Sequence, residues 1–215
     1  SLLAYELGML LKKKFGLPIF NPLLISIAVV IVFLAVFDID YQNYNDGAKY
    51  LSYLLTPATV CLAIPLYEQM EALKKNIKAI LAGILSGVLT SLTVVLALAL
   101  IFNLNHKMYV TLLPKSITTA IGMGVSEELG GAVTITVAVI IITGVLGNML
   151  AETLCKLFHI EEAIAKGISI GSASHAIGTA KAMEMGDVEG AMSSLSIAVA
   201  GILTVVGASI YAMFI

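Results

Sequence analysis

Long apolar runs separated by short charged or proline-marked intervals dominate the chain. Residues 15–37, 79–108 (broken near the end by His106 and Lys107), 129–151 and 190–215 are almost free of charge. Each is long enough for the roughly 20 residues a helix needs to cross hydrocarbon about 30 Å thick. The alternation expected of barrel strands is missing. The pattern predicts an all-α polytopic membrane protein with about six transmembrane helices: 1–11, 23–37, 50–67, 79–102, 129–150 and 190–215. One or two re-entrant or broken segments are expected beside them, in an arrangement resembling an inverted repeat. The whole of 1–215 reads as one transmembrane domain, whose first helix, already in mid-pattern at Ser1, is expected to start upstream.

The polar intervals set the boundaries. Lys12, Lys13 and Lys14 close the first span, and Pro18 and Pro22 mark the entry to the second. DIDYQNYNDG (38–47) reads as a loop with a turn at Asp46-Gly47. Pro57 and Pro65 break the third span, because proline removes a helix hydrogen bond. EQMEALKKNIK (68–78) reads as a charged loop and ETLCKLFHIEEAIAK (152–166) as an amphipathic connector. Lysine placement puts Lys12–Lys14 and Lys74, Lys75 and Lys78 on the cytoplasmic side, and the lysine-free 38–47 outside. Segment 109–128 admits two readings. If it crosses, Lys156 and Lys166 lie outside; if it dips in and returns, they lie inside, as the lysine rule favours.

One internal echo supports broken segments. LLTPATVCLAI (54–64) and TLLPKSITTAI (111–121) align with Pro57 on Pro114, and each precedes a long apolar span holding a close glycine pair. Matched proline-interrupted segments in two halves point to the site of a secondary transporter; chance resemblance among apolar residues is the alternative.

Composition narrows the chemistry. Apolar residues make up 59% of the chain and charged ones 12%, and the net charge is −2. No basic stripe suggests nucleic acid. Cys61 and Cys155 stand alone in apolar surroundings, without metal-ligand spacing, so no metal or other cofactor is expected. A hydrolytic enzyme is disfavoured: Lys115-Ser116 and Ser174-His175 are sequence neighbours, which point about 100° apart on a helix, and no nucleophile-elbow or zinc-protease motif occurs.

Lys115 is the residue that needs explaining. A lysine at mid-membrane costs about 2.5–3.5 kcal/mol on insertion scales. Snorkelling toward an interface is one answer. The other starts from its neighbours Pro114, Ser116, Thr118 and Thr119. Proline frees backbone groups, and a cation among hydroxyls and unpaired N–H groups suits a small carboxylate. Irregular backbone at membrane depth is tolerated where it lines a wet cavity. A second cluster, GISIGSASHAIGTAKAMEMGD (167–187), carries His175 and Thr179 among small residues. Its glycines suit close helix packing. His175 can change charge near neutral pH, which makes it a candidate for proton coupling or substrate binding, with a satisfied structural histidine as the alternative. Glu184 is a second coupling candidate, or simply the i,i+3 partner of Lys181. Thr56 and Thr59 beside Pro57 offer hydroxyls for an opposite cavity wall. Lys115, Ser116, Thr118 and Thr119 are expected to face His175 and Thr179 across a cavity near the midplane, with Lys115 holding the carboxylate.

NPLLISI (21–27), LLTPATVCLAIPLYEQ (54–69), LLPKSITTAIGMGVSEELGG (112–131), ITGVLGN (142–148), GISIGSASHAIGTAKAMEM (167–185) and GAMSSL (190–195) together resemble the LrgB/CidB family of bacterial membrane proteins. The C-terminal half of the plastid glycolate/glycerate translocator belongs to the same family. One departure is Thr119-Ala120-Ile121-Gly122, where the family more often has Thr-Pro-Ile-Ala. The resemblance implies a multi-pass plasma-membrane protein with a smaller LrgA/CidA-type membrane partner. It also implies one of two activities: holin/antiholin-like control of murein hydrolases, autolysis and programmed cell death, or transport of small monocarboxylates such as pyruvate, glycolate or glycerate. A holin has no evident use for a lysine, a histidine and two hydroxyl clusters at membrane depth, so the residues favour transport. A homodimer is compatible with the sequence but not fixed by it.

Overall fold

The structure is a computed structural model that describes residues 1–16, 20–61 and 63–215, with side chains at 52, 55, 56 and 59 excepted. Pro18, and the side chains of Thr56 and Thr59, therefore lie outside the described residues. All regular structure among the described residues is helical. The chain divides into two compact units, Ser1–Leu62 and Ala63–Ile215.

In the first unit, α1 (Leu2–Phe15) and α2 (Pro22–Val36) pack together. Asn21 starts α2: its Oδ1 accepts from the N–H groups of Leu23 (2.9 Å) and Leu24 (3.3 Å), and Pro22 occupies the first turn, where its missing N–H costs nothing. The predicted loop at 38–47 is instead half helix. Asp40 Oδ1 accepts from Gln42 N–H at 3.4 Å and opens α3 (Tyr41–Ser52), so Asp46-Gly47 lies inside a helix, not at a turn. The predicted span 50–67 is shared among the end of α3, α4 (Leu55–Cys61) and α5 (Ala63–Glu68). Pro57 and Pro65 each stand third in their short helices, where proline is tolerated.

The second unit holds three helices long and apolar enough to cross a membrane: α6 (Met70–Ile101), α9 (Val133–Leu157) and the stretch Asp187–Phe214, which includes α11 (Asp187–Tyr211). Helix α6 begins well before the apolar run, because 70–78, read from sequence as a loop, continues the helix beyond the hydrocarbon. Its buried stripe Ile80, Ile84, Val88, Leu92, Val95 and Ala99 recurs every three or four residues and faces α11.

Between these helices lie two hairpins. The first comprises α7 (His106–Leu112), a turn through Pro114, and α8 (Thr119–Glu128). The Thr136 hydroxyl donates to the Thr111 carbonyl (3.0 Å) or to Ser126 Oγ (2.7 Å), and Ala132 N–H donates to Thr111 Oγ1 (2.8 Å). Residues 111 and 126 thus sit side by side at the start of α9, and the segment turns back instead of crossing. Thr136 is fully buried. Thr136→Val leaves polar groups unpaired there and is expected to cost about 1–3 kcal/mol, read as a lowered melting temperature in detergent with secondary structure retained at low temperature.

The second hairpin is α10 (Ala163–Met185), a helix broken at His175, whose φ of 42° and ψ of −145° are non-helical. The break reverses the chain. A Cβ built on Gly178 would lie 3.1 Å from Ile170 Cγ2, and one built on Gly171 2.8 Å from Ser193 Cα. Thr179 also reaches Ser193, Oγ1 to Oγ, at 2.7 Å. In a straight helix residues 171 and 179 would be about 12 Å apart. No glycine or proline marks this break in the sequence, so 167–186 reads there as ordinary close-packed helix.

The two hairpins enter from opposite ends. The first lies at the end holding Phe102 and the chain's last residue, where His106 Nδ1 is 2.6 Å from the Ile215 carbonyl. The second starts and finishes at the end holding Asn76, Ile160 and Glu162, which line one cavity. Lys156 and Lys166 therefore share an end with Lys74, Lys75 and Lys78, the cytoplasmic end by the lysine rule. Helix α6 with the first hairpin and α9 with the second run in opposite senses, an inverted pair. The sequence echo at 54–64 falls elsewhere: its first copy crosses Leu62, outside the described residues.

Candidate functional site

A cavity of about 1040 Å³ runs along α6 from the lysine-rich end. Asn76, Ala79 and Glu162 stand at that end, and Gly83, Gly87 and Ile168 line its middle. At its inner end are Ser91, Lys115 and Ser116. Ser91 lies ten residues before the end of α6, about 15 Å of helix, so Lys115 sits near the middle of the apolar layer and not at a headgroup interface.

The tip of the first hairpin presents Lys115 because the helix cannot continue through Pro114. The chain turns instead, with Lys115 N–H donating to the Leu112 carbonyl (3.2 Å) and Ile117 N–H to the Pro114 carbonyl (3.3 Å). Leu113 and Ile117, both buried, anchor the turn in the core. Lys115 Nζ donates to Ser116 Oγ at 2.9 Å, and Ser116 Oγ lies 3.1 Å from Ser91 Oγ. Among the described residues no carboxylate lies within ion-pair distance of Lys115. An ammonium group without a protein counter-ion, at mid-depth beside a cavity, can hold an anion.

Hydroxyls line the approach. Ser86, Thr90, Ser169 and Ser172 join Ser91 and Ser116 on the walls. Ser86, Ser169 and Ser172 donate to carbonyls of their own helices, those of Gly83 (2.8 Å), Lys166 (2.9 Å) and Ile168 (2.7 Å). Their oxygens remain free to accept from water or a ligand. Ser86, Thr90 and Ser91 escaped the sequence reading, although their helical spacing in an otherwise apolar span was a usable signal.

The other expected site residues are placed differently. Thr118 and Thr119 are half-buried at the start of α8, and neither lines the cavity. His175 and Thr179 do not line it either. The imidazole is buried against α9, where Nε2 donates to the Ile140 carbonyl at 3.0 Å, a carbonyl being only an acceptor. Gly144 makes room for the ring: a Cβ there would lie 2.7 Å from His175 Cε1. The Thr179 hydroxyl is taken up with the His175 carbonyl (3.0 Å) and Ser193 (2.7 Å). The expected juxtaposition of Lys115 and His175 across one cavity is thus not what the fold makes. The second hairpin turns Ser172 toward the cavity and His175 toward α9, because the two occupy different faces of the broken helix. Glu184 lies at the lysine-rich end near Lys181, whose Nζ is 3.3 Å from both Glu184 Oε2 and Glu152 Oε2. This charged cluster borders a separate cavity of about 500 Å³.

The model of the LrgB-like family matches residues 1–214. Proteins named antiholin-like protein LrgB from Bacillus mycoides, Bacillus cereus and Bacillus anthracis are each 40% identical to the chain over 216 residues, covering all of it and 94% of their own length. No solved structure gives a significant match. With its apolar helices of spanning length, the protein is a multi-pass plasma-membrane protein and belongs to the LrgB-like family.

Proposed function

We propose that the protein is a secondary transporter of small monocarboxylates, of the size of pyruvate, glycolate or glycerate, and that Lys115 with Ser116 binds the carboxylate. The observation that carries this reading is the Lys115 ammonium, near mid-depth, without a carboxylate partner among the described residues and at the inner end of a hydroxyl-lined cavity. The cavity is far larger than a three-carbon acid, so most of it serves as a water-filled approach and its Lys115 end as the site. Lys74, Lys75 and Lys78 stand on the same end of α6 without lining the cavity, and raise the local concentration of anions there. His175 and Glu184 do not line this cavity, and neither is assigned a step. An LrgA/CidA-type membrane protein is the partner proposed. Control of autolysis would follow indirectly from carboxylate flux.

The name of the relatives, antiholin-like, favours a second reading, in which the protein modulates lysis without specific transport. Proteoliposomes separate the two. The carrier shows saturable uptake of labelled pyruvate or glycolate while a large trapped dye stays inside. Dye release independent of solute size contradicts the carrier.

A further inference from the structure

Lys115 is reached from the lysine-rich end, and the body of the first hairpin lies between it and the opposite end. Tyr109, Leu113 and Ile117 on that hairpin are at most 2% exposed, so the hairpin is a packed plug and not a loose loop. Its two ends are held differently. The base is tied to the start of α9 by two hydrogen bonds: Ala132 N–H to Thr111 Oγ1, and Thr136 to Thr111 or Ser126. At the tip, the polar tie to α6 among the described residues is the 3.1 Å contact between Ser116 and Ser91; the apolar packing beside it slides without breaking directed bonds. A segment fixed at its base and lightly tied at its tip is built to hinge.

We infer that, in the carrier proposed above, the hairpin 106–128 is the gate between the Lys115 site and the lysine-poor face, and that Ser91 is the latch holding it shut through the Ser116 hydroxyl. Ser91 is a positioning residue, acting through Ser116. Its coupling to the ligand is chemical. Ser116 Oγ already accepts from Lys115 Nζ, and its own proton is available to Ser91. A carboxylate at Lys115 offers only acceptor atoms and competes with Ser91 for that proton. Occupancy of the site therefore loosens the tip from α6. Lys115 and Ser116 ride on the tip, so the site moves with the gate.

The latch is tested in a C61A/C155A background, without substrate. T118C reports on the tip through a membrane-impermeant maleimide applied to either face. Adding S91A is expected to raise labelling from the lysine-poor face at least fivefold. Unchanged labelling, or labelling from the lysine-rich face alone, overturns the latch. A wild type that takes up no carboxylate, with S91A still raising T118C labelling, sinks the substrate assignment and leaves the gate standing. Normal uptake with unmoved labelling does the reverse.

Discussion

Lys115→Met is expected to lower carboxylate uptake roughly 10- to 150-fold while making the protein more stable. Uptake falls because a hydrogen bond to a charged group contributes about 1.5–3 kcal/mol. Methionine keeps an unbranched stem and removes the ammonium, its charge and its hydrogen-bond donors together. Stability rises because an ammonium group near mid-membrane is costly, by about 2.5–3.5 kcal/mol on insertion scales, and Lys115 has no carboxylate among the described residues to offset that cost. The opposed signs matter. A lysine kept for structure would lose stability on substitution, and its loss of uptake would follow the loss of folded protein. Melting temperature in detergent and uptake per folded molecule separate the two. A destabilised Lys115→Met with proportionately reduced uptake would assign the lysine to the scaffold.

Gly171→Ala is expected to be the most damaging single-methyl change. The new Cβ would meet the Ser193 backbone on α11, including Cα at 2.8 Å. Backbone cannot rotate away as a side chain can, so the two helices must separate. Overpacking of this kind costs about 1–3 kcal/mol, occasionally more, which in a chain of this size is roughly 2–12 °C in melting temperature. The separation would also shift the arm of α10 that carries Ser172 on the cavity wall. Gly124→Ala is the matched control. Nothing lies within 4 Å of a Cβ there, and alanine is the better helix former by about 1 kcal/mol. Equal melting of the two variants would show that the second hairpin is not packed as described.

Hydropathy located the membrane better than it located the helices. The spans 79–102, 129–150 and 190–215 lie almost wholly inside α6, α9 and the Asp187–Phe214 stretch. The helix ends were missed: Lys74, Lys75 and Lys78 sit on helix that simply leaves the hydrocarbon, and charge says nothing against helix there. The loop reading of 38–47 rested on Asp46-Gly47 as a turn; that pair lies inside α3, which Asp40 caps. The first hairpin was half legible, through Pro114 and the lysine rule. The second was not, because its reversal rests on a positive φ at His175, uncommon for any residue but glycine. That reversal separated Lys115 from His175, which no spacing argument could foresee. Lys115 and Ser116 were found because a charge in oil demands an explanation. Ser91 was not, since hydroxyls in an apolar helix, Ser86 and Thr90 beside it included, can bond to their own backbone and so demand no further explanation.

Equilibrium binding of labelled glycolate to the purified protein tests the central assignment most directly. The carboxylate site at Lys115 predicts saturable binding by wild type, equal binding by Lys181→Ala, whose ammonium borders the other cavity, and binding weakened at least tenfold in Lys115→Met. Undiminished binding by Lys115→Met would contradict it.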